Sequence, residues 1–256
     1  MSVSNSWASK KVWIVGASSG IGQALAQELA SRGACLAVSA RSTDALNTLA
    51  VGLLGTGHKA LPLDVTDPEA VSRTAATLQR DWGSIDIVVL AAAAYSPMRA
   101  YALDIEAARQ TMRVNIEGPL NCLAAILPAM LQAGRGHIAI VASVAGYRGL
   151  PQALAYGASK AALINMTETL RLDLADRGIK VQLINPGFVR TPLTAKNEFT
   201  MPALIEPEEA AQCIADGMER DAFEIHFPKR FTSLMKLLRV LPYWIYFRAI
   251  KRVTGL

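Results

Sequence analysis

A chain of 256 residues, 52% hydrophobic and 18% charged, can bury a large core without help from disulfides or metals. The three cysteines, Cys35, Cys122 and Cys213, are odd in number and far apart, and His58, His137 and His226 are equally scattered, which argues against a disulfide framework and against a metal centre. The net charge of +5 belongs to the tail, because from Ile225 onward there are seven Lys or Arg and no acid, and no nucleic-acid partner is expected.

The opening segment MSVSNSW lacks the basic region and long apolar stretch of a signal peptide. No window reaches the roughly 18 uninterrupted apolar residues of a spanning helix, so a soluble cytoplasmic protein is expected. Short apolar runs then alternate with helical patterns. KVWIVG, ACLAVSA, ALPLDV, IDIVVLAA, GHIAIVAS and KVQLINPG each carry four to six apolar residues, too many for a strand with one wet face, and read as strands buried on both sides. Between them, segments 20–32, 43–53, 67–82, 102–112, 115–133 and 153–176 show apolar spacing of three and four and read as helices. Thr66 or Asp67 caps the third of these, with Pro68 in its first turn, while Gly33 and Gly178 stand at C-cap positions. This alternation predicts an α/β fold, a single doubly wound Rossmann-type parallel sheet with helices on both faces, whose ligand lies at the carboxyl ends of the strands.

The first strand runs directly into Gly16-Ala17-Ser18-Ser19-Gly20-Ile21-Gly22 and then into a helix. A dinucleotide's phosphates need close backbone approach and free N–H groups at such a place. An acid at the end of the second strand would bind the adenosine ribose hydroxyls of NAD, but that strand ends at Ala40, followed by Arg41. A neutral residue beside a guanidinium suits a 2′-phosphate, so NADP(H) is expected over NAD(H); the other reading of Arg41 is a solvated surface residue. Asp64 and Val65, after the third strand, are placed to meet the adenine edge, with Asp64 as acceptor for its amino group.

The helix at 153–176 carries Tyr156-Gly157-Ala158-Ser159-Lys160, which puts a phenol and an ammonium on one face. A free tyrosine titrates near about 10, and a nearby cation is expected to lower that value toward neutrality. With these residues in view the chain resembles the short-chain dehydrogenase/reductase family up to about Phe227. The motifs are GASSGIG after the first strand, DV after the third, Asn115 in VNIEG, Ser143 in IVASVAG, YGASK, and NPGFVRT after the sixth strand. The resemblance implies hydride transfer between a nicotinamide cofactor and a carbonyl or alcohol. It implies Tyr156 as general acid, Lys160 on the nicotinamide ribose, Ser143 on the substrate oxygen, and Asn115 anchoring a water that links Lys160 to solvent. It also implies that Pro186, Gly187, Val189 and Thr191 close over the nicotinamide. One departure stands out: many members carry Asn-Asn-Ala-Gly after the fourth strand, where this chain has Leu90-Ala91-Ala92-Ala93. Side-chain hydrogen bonds cannot form there, and the backbone at Ala92 is expected to line the ribose and nicotinamide.

These readings divide the chain into a dinucleotide-binding catalytic unit at 1–227 and a basic, apolar extension at 228–256. In the extension Phe231, Leu234, Met235, Leu238 and Leu241 fall on one helical face with Lys236 and Arg239 on a flank, and Pro242 forces a break. Two readings stay open: the face packs over the cleft or against another subunit, or residues 231–252 lie on an anionic bilayer at the inner membrane face, where Tyr243, Trp244 and Tyr246 suit the interface. A hydrophobic or lipid-like small-molecule substrate is the weaker corollary. The wide apolar faces of 115–133 and 153–176 point to a homo-dimer or homo-tetramer. A non-catalytic NADP(H)-binding sensor or scaffold on the same fold is the alternative function, and the chain after Phe227 is too short for the substrate domain of a sugar-nucleotide epimerase.

Overall fold

The computed structural model describes residues 7–255; the expectation about a signal peptide therefore falls mainly on 1–6, outside the described residues. Among the described residues seven strands form one parallel sheet: β1 (Lys11–Val15), β2 (Cys35–Ser39), β3 (Lys59–Ala60), β4 (Ile87–Leu90), β5 (Gly136–Val141), β6 (Ile179–Pro186) and β7 (Glu224–Phe227). Their order is β3-β2-β1-β4-β5-β6-β7, so the direction of winding reverses between β1 and β4 and a crevice opens there at the strand carboxyl ends.

The apolar strands are dictated by helices on both faces. Along β1, Val12 and Ile14 enter one core layer while Trp13 and Val15 enter the other, the period of two that a pleated strand imposes. The first layer is covered by α1 (Gly20–Ser31), α2 (Thr43–Gly52) and α7 (Pro207–Met218). The second is covered by α3 (Pro68–Trp82), α5 (Gly118–Ala133) and α6 (Leu154–Leu174). Asp67 is the N-cap of α3, its carboxylate accepting from the N–H groups of Glu69 and Ala70 at 3.0 Å.

Three local departures from the sequence reading have physical causes. The ALPLDV strand is regular only at Lys59–Ala60, because it is the sheet edge. It still donates to β2 from Leu61 and Leu63, and Pro62, lacking an N–H, occupies the outward position where no bond is lost. The helices expected at 102–112 and 115–133 are one: α4 (Ile105–Met112) continues through a π-helical turn, Arg113–Glu117, into α5. Such a turn widens a helix by one residue and often marks a functional site. By length and composition the continuous Ile105–Ala133 helix could cross a membrane, yet its α5 part is packed into the second core layer through Cys122, Leu123 and Ile126. Finally, α7 and β7 complete the body beyond the segments read as elements; Pro207 with Glu208 and Glu209 in the first turn is the helix signal available there.

The extension forms α8 (Lys229–Val240) and α9 (Tyr243–Thr254), separated at Pro242 as expected. Phe231, Met235 and Leu238 pack against the second core layer, but Leu234 is exposed, correcting the predicted five-residue face: Thr232, two residues earlier, takes the inward position. Lys236 is not a free flanking cation either, because its ammonium pairs with Glu224 at 2.5 Å.

Candidate active site

The crevice at the switch point is a cleft of about 370 Å³. It gathers nearly every residue singled out for the cofactor: Gly16, Ser18, Ser19, Gly20, Ile21, Gly22, Arg41, Asp64, Val65, Ala92, Tyr156, Lys160, Pro186, Gly187, Val189 and Thr191. Its floor is the turn from β1 into α1. Gly16 has φ +98°, and a Cβ there would stand 2.4 Å from the Ala92 nitrogen; one at Gly22 would stand 2.1 Å from the Gly16 oxygen. Only glycine allows this β1–β4 contact and this tight entry to the helix. The Ser19 hydroxyl takes no backbone N–H of the first turn of α1, which leaves those donors to an anion in the cleft. The cradle therefore fits the pyrophosphate of a dinucleotide.

At the adenosine end, Ala40 and Arg41 follow β2. Asp64 accepts from the Thr66 N–H at 2.9 Å and its hydroxyl at 2.8 Å. These bonds, with Arg41 nearby, hold its carboxyl below the ordinary range. Thr191 lies over Gly20 from the opposite wall, so the segment after β6 covers the glycine turn.

Asn115 is the exception among the predicted residues, for it is wholly buried behind the cleft wall. The π turn aims its amide at Ala94: its Oδ1 accepts from the Ala94 N–H at 2.7 Å and its Nδ2 donates to the Ala94 oxygen at 3.0 Å and to Ser159 Oγ at 2.9 Å. Both side-chain donors are spent. The side chain thus clamps the strand-end turn where the Asn-Asn-Ala-Gly side chains are missing, and the water that the resemblance has Asn115 anchor is left to a group other than these amide donors.

At the other end β5 delivers Ser143 in extended conformation, and α6 delivers Tyr156 and Lys160. Lys160 is buried, with its Nζ donating to the Val141 oxygen at 2.8 Å and lying 5.6 Å from the Tyr156 ring centre. Burial pulls this ammonium down to about 7. Burial pushes the Tyr156 phenol up to about 12, against a hydrogen bond from Ser143 that favours the phenolate. Without a cofactor in the cleft, burial thus sets the direction of the phenol's shift, and Lys160, itself desolvated, is not among the groups that move it.

Tyr95 is absent from the residues the sequence singles out. Its ring meets Tyr156 edge-on at 4.8 Å, its hydroxyl donates to Asn197 Oδ1 at 2.8 Å, and its carbonyl accepts from Lys196 at 2.9 Å. The segment after β6 is thereby tied to the wall beside the reactive phenol. No local pattern signals a contact between residues so far apart in the chain. Phe188 meets Phe199 at 5.7 Å and Phe231 at 5.6 Å, which adds an aromatic rim beside Gly187.

Comparison with known proteins gives a consistent picture. A family model described as short chain dehydrogenase matches residues 10–201. An uncharacterized oxidoreductase of Myxococcus xanthus is 36% identical over 242 residues, 94% of this chain and 96% of that protein. A short chain dehydrogenase of Burkholderia cenocepacia, solved in complex with NADP, aligns with TM-score 0.82 at 27% identity, covering 94% of this chain and 98% of that one. A Burkholderia phymatum short chain dehydrogenase/reductase, solved in complex with NAD, aligns with TM-score 0.82 over 90% of this chain and 92% of that one; at 23% identity this likeness concerns the fold.

Proposed function

The chain belongs to the short-chain dehydrogenase/reductase family, and on that premise we propose that it interconverts a carbonyl and an alcohol on a small, apolar organic molecule with NADP(H). The observation that carries the reading is the convergence of Ser143, Tyr156 and Lys160 on the same cleft as the glycine cradle. The 16–22 turn, Arg41, Asp64 and the 186–191 segment would hold the nicotinamide cofactor, which would supply or accept the hydride when bound. In the reducing direction Tyr156 donates its phenolic proton to the carbonyl oxygen, and Ser143 hydrogen-bonds that oxygen as charge develops on it. Lys160, deprotonating near about 7, is suited to re-supply the proton. The phenol is protonated at neutral pH and so has a proton to give, while a value of about 12 leaves it a weak acid that a neighbouring cation has to assist.

The absence of a carboxylate at Ala40 beside Arg41 supports NADP(H), with NAD(H) as the weaker ligand. The aromatic rim of Phe188, Phe199 and Phe231, with Tyr95 beside Tyr156, supports a hydrophobic substrate. Exposed Met112, Leu120, Leu154 and Leu172 on α4, α5 and α6 support a homo-dimer or homo-tetramer built on those helices. A cofactor-binding sensor without chemistry would have no use for this triad.

The test is cofactor absorbance in both directions with a panel of aliphatic and aromatic ketones, aldehydes and their alcohols. Turnover of an apolar carbonyl with NADPH is expected. No turnover with either nucleotide, alongside intact nucleotide binding, would leave the sensor reading in place.

A further inference from the structure

The last two helices divide their surfaces sharply. Inward, Met235 and Tyr246 are buried and Phe231 packs on Phe188. Arg148 locks the joint between the helices: its guanidinium donates to the carbonyls of Leu238 at 2.9 Å and Leu241 at 2.6 Å and lies over the rings of Tyr243 at 4.7 Å and Tyr246 at 4.1 Å. The Tyr246 hydroxyl donates to the Gly149 oxygen at 2.6 Å. These helices are thus fixed parts of the body, with one side left over.

That remaining side is both apolar and cationic. Trp244 is 65% and Phe247 56% exposed, and Leu234, Leu237, Val240 and Tyr243 are exposed as well. On α9, Tyr243, Phe247 and Lys251 recur at four-residue spacing with Trp244 beside them, and Arg248 and Arg252 follow on the flank. Six of the seven bases of this region are exposed, the seventh being Lys236, and no acid interrupts them.

We propose that α8 and α9 form a docking surface for the anionic headgroup face of a lipid bilayer, with Trp244 and Phe247 entering the interface and Arg248, Lys251 and Arg252 meeting the headgroups. Charge and chemistry select this occupant. An isologous contact between two copies would set the same cations against one another with no acid to receive them. A nucleic acid would satisfy the cations but offers leucine and valine side chains nothing to enter. A bilayer interface accepts both, since aromatic rings sit at headgroup level and lysine or arginine is attracted by anionic lipid. Because α8 also holds Phe231 at the rim of the cleft, docking would bring the cleft near the source of an apolar substrate.

The experiment is co-sedimentation of the full chain with vesicles of phosphatidylcholine alone or with added phosphatidylglycerol. Binding to the anionic vesicles is expected, with loss on raising salt. Replacing Arg248, Lys251 and Arg252 together by Gln should weaken it by roughly a hundredfold, from about 1 kcal/mol for each base at an anionic surface. Trp244→Ser with Phe247→Ser should weaken it by at least about tenfold, with NADPH affinity unchanged as the check on folding. The proposal is overturned by absence of binding to anionic vesicles, or by binding that neither variant alters. Equal affinity for duplex DNA that also responds to the aromatic variant would overturn it too. So would a drop in oligomer size on Trp244→Ser with Phe247→Ser, which would make the face a contact between copies.

Discussion

Asn115→Ala should show how much the amide clamp contributes to the strand-end turn. The substitution removes the acceptor for the Ala94 N–H, the donor to the Ala94 oxygen and the donor to Ser159 Oγ. Ser159 still donates to the Tyr156 oxygen at 2.7 Å, so its loss is the mildest. An unsatisfied buried group costs about 1–3 kcal/mol, and because Ala94 is only partly buried its two groups fall toward the lower end. The expected destabilisation is about 2–4 kcal/mol, against a typical total of about 5–15 kcal/mol. For a domain of this size that corresponds to a fall in Tm of roughly 5–15 °C. Since Ala91, Ala92, Ala93 and Ala94 line the cleft, NADPH affinity should fall with it. Urea denaturation and calorimetric titration measure the two effects on one sample. A variant within about 0.5 kcal/mol of wild type, with unchanged nucleotide affinity, would refute the clamp.

Gly16→Ala forces a Cβ to within 2.4 Å of the Ala92 nitrogen at a φ of +98°, and should abolish nucleotide binding as seen by titration; normal binding would contradict the cradle geometry. The pH profile of kcat/KM for reduction should decline as pH rises through about 7, because the Lys160 ammonium is lost there while the Tyr156 phenol, held to about 12, stays protonated. A profile flat from slightly acid to well above neutral would argue against Lys160 as the proton source. Arg41→Ala should narrow the preference for NADPH over NADH, measured as the ratio of the two dissociation constants, and equal affinities in the wild type would remove Arg41 from its role.

Most of the body is legible in the sequence because burial on two faces writes itself into short apolar runs, and because GASSGIG lies on one strand-to-helix turn and YGASK on one helix. What stays hidden are features that depend on neighbours. Leu234 and Thr232 exchange places because the packing partner of α8, not its internal pattern, decides which side faces inward. The join of α4 to α5 reads as a break because one extra residue in a π turn shifts the apolar spacing just where Asn115 is needed. Tyr95, Asn197 and Tyr156 meet only through the fold. The lysine–tyrosine effect differs from expectation for another reason: proximity in sequence reports a cation, but only the structure reports how far both groups are desolvated.

The proton donor carries the whole functional account, and Tyr156→Phe tests it most directly, because the change removes the transferable proton while keeping the ring against Tyr95 and Lys160. NADPH affinity, measured by titration, should stay close to wild type, while turnover of whichever carbonyl the panel reveals should fall by about 10²–10⁴-fold. A Tyr156→Phe enzyme retaining more than about a tenth of the wild-type rate, a barrier change of only about 1.4 kcal/mol, would contradict it.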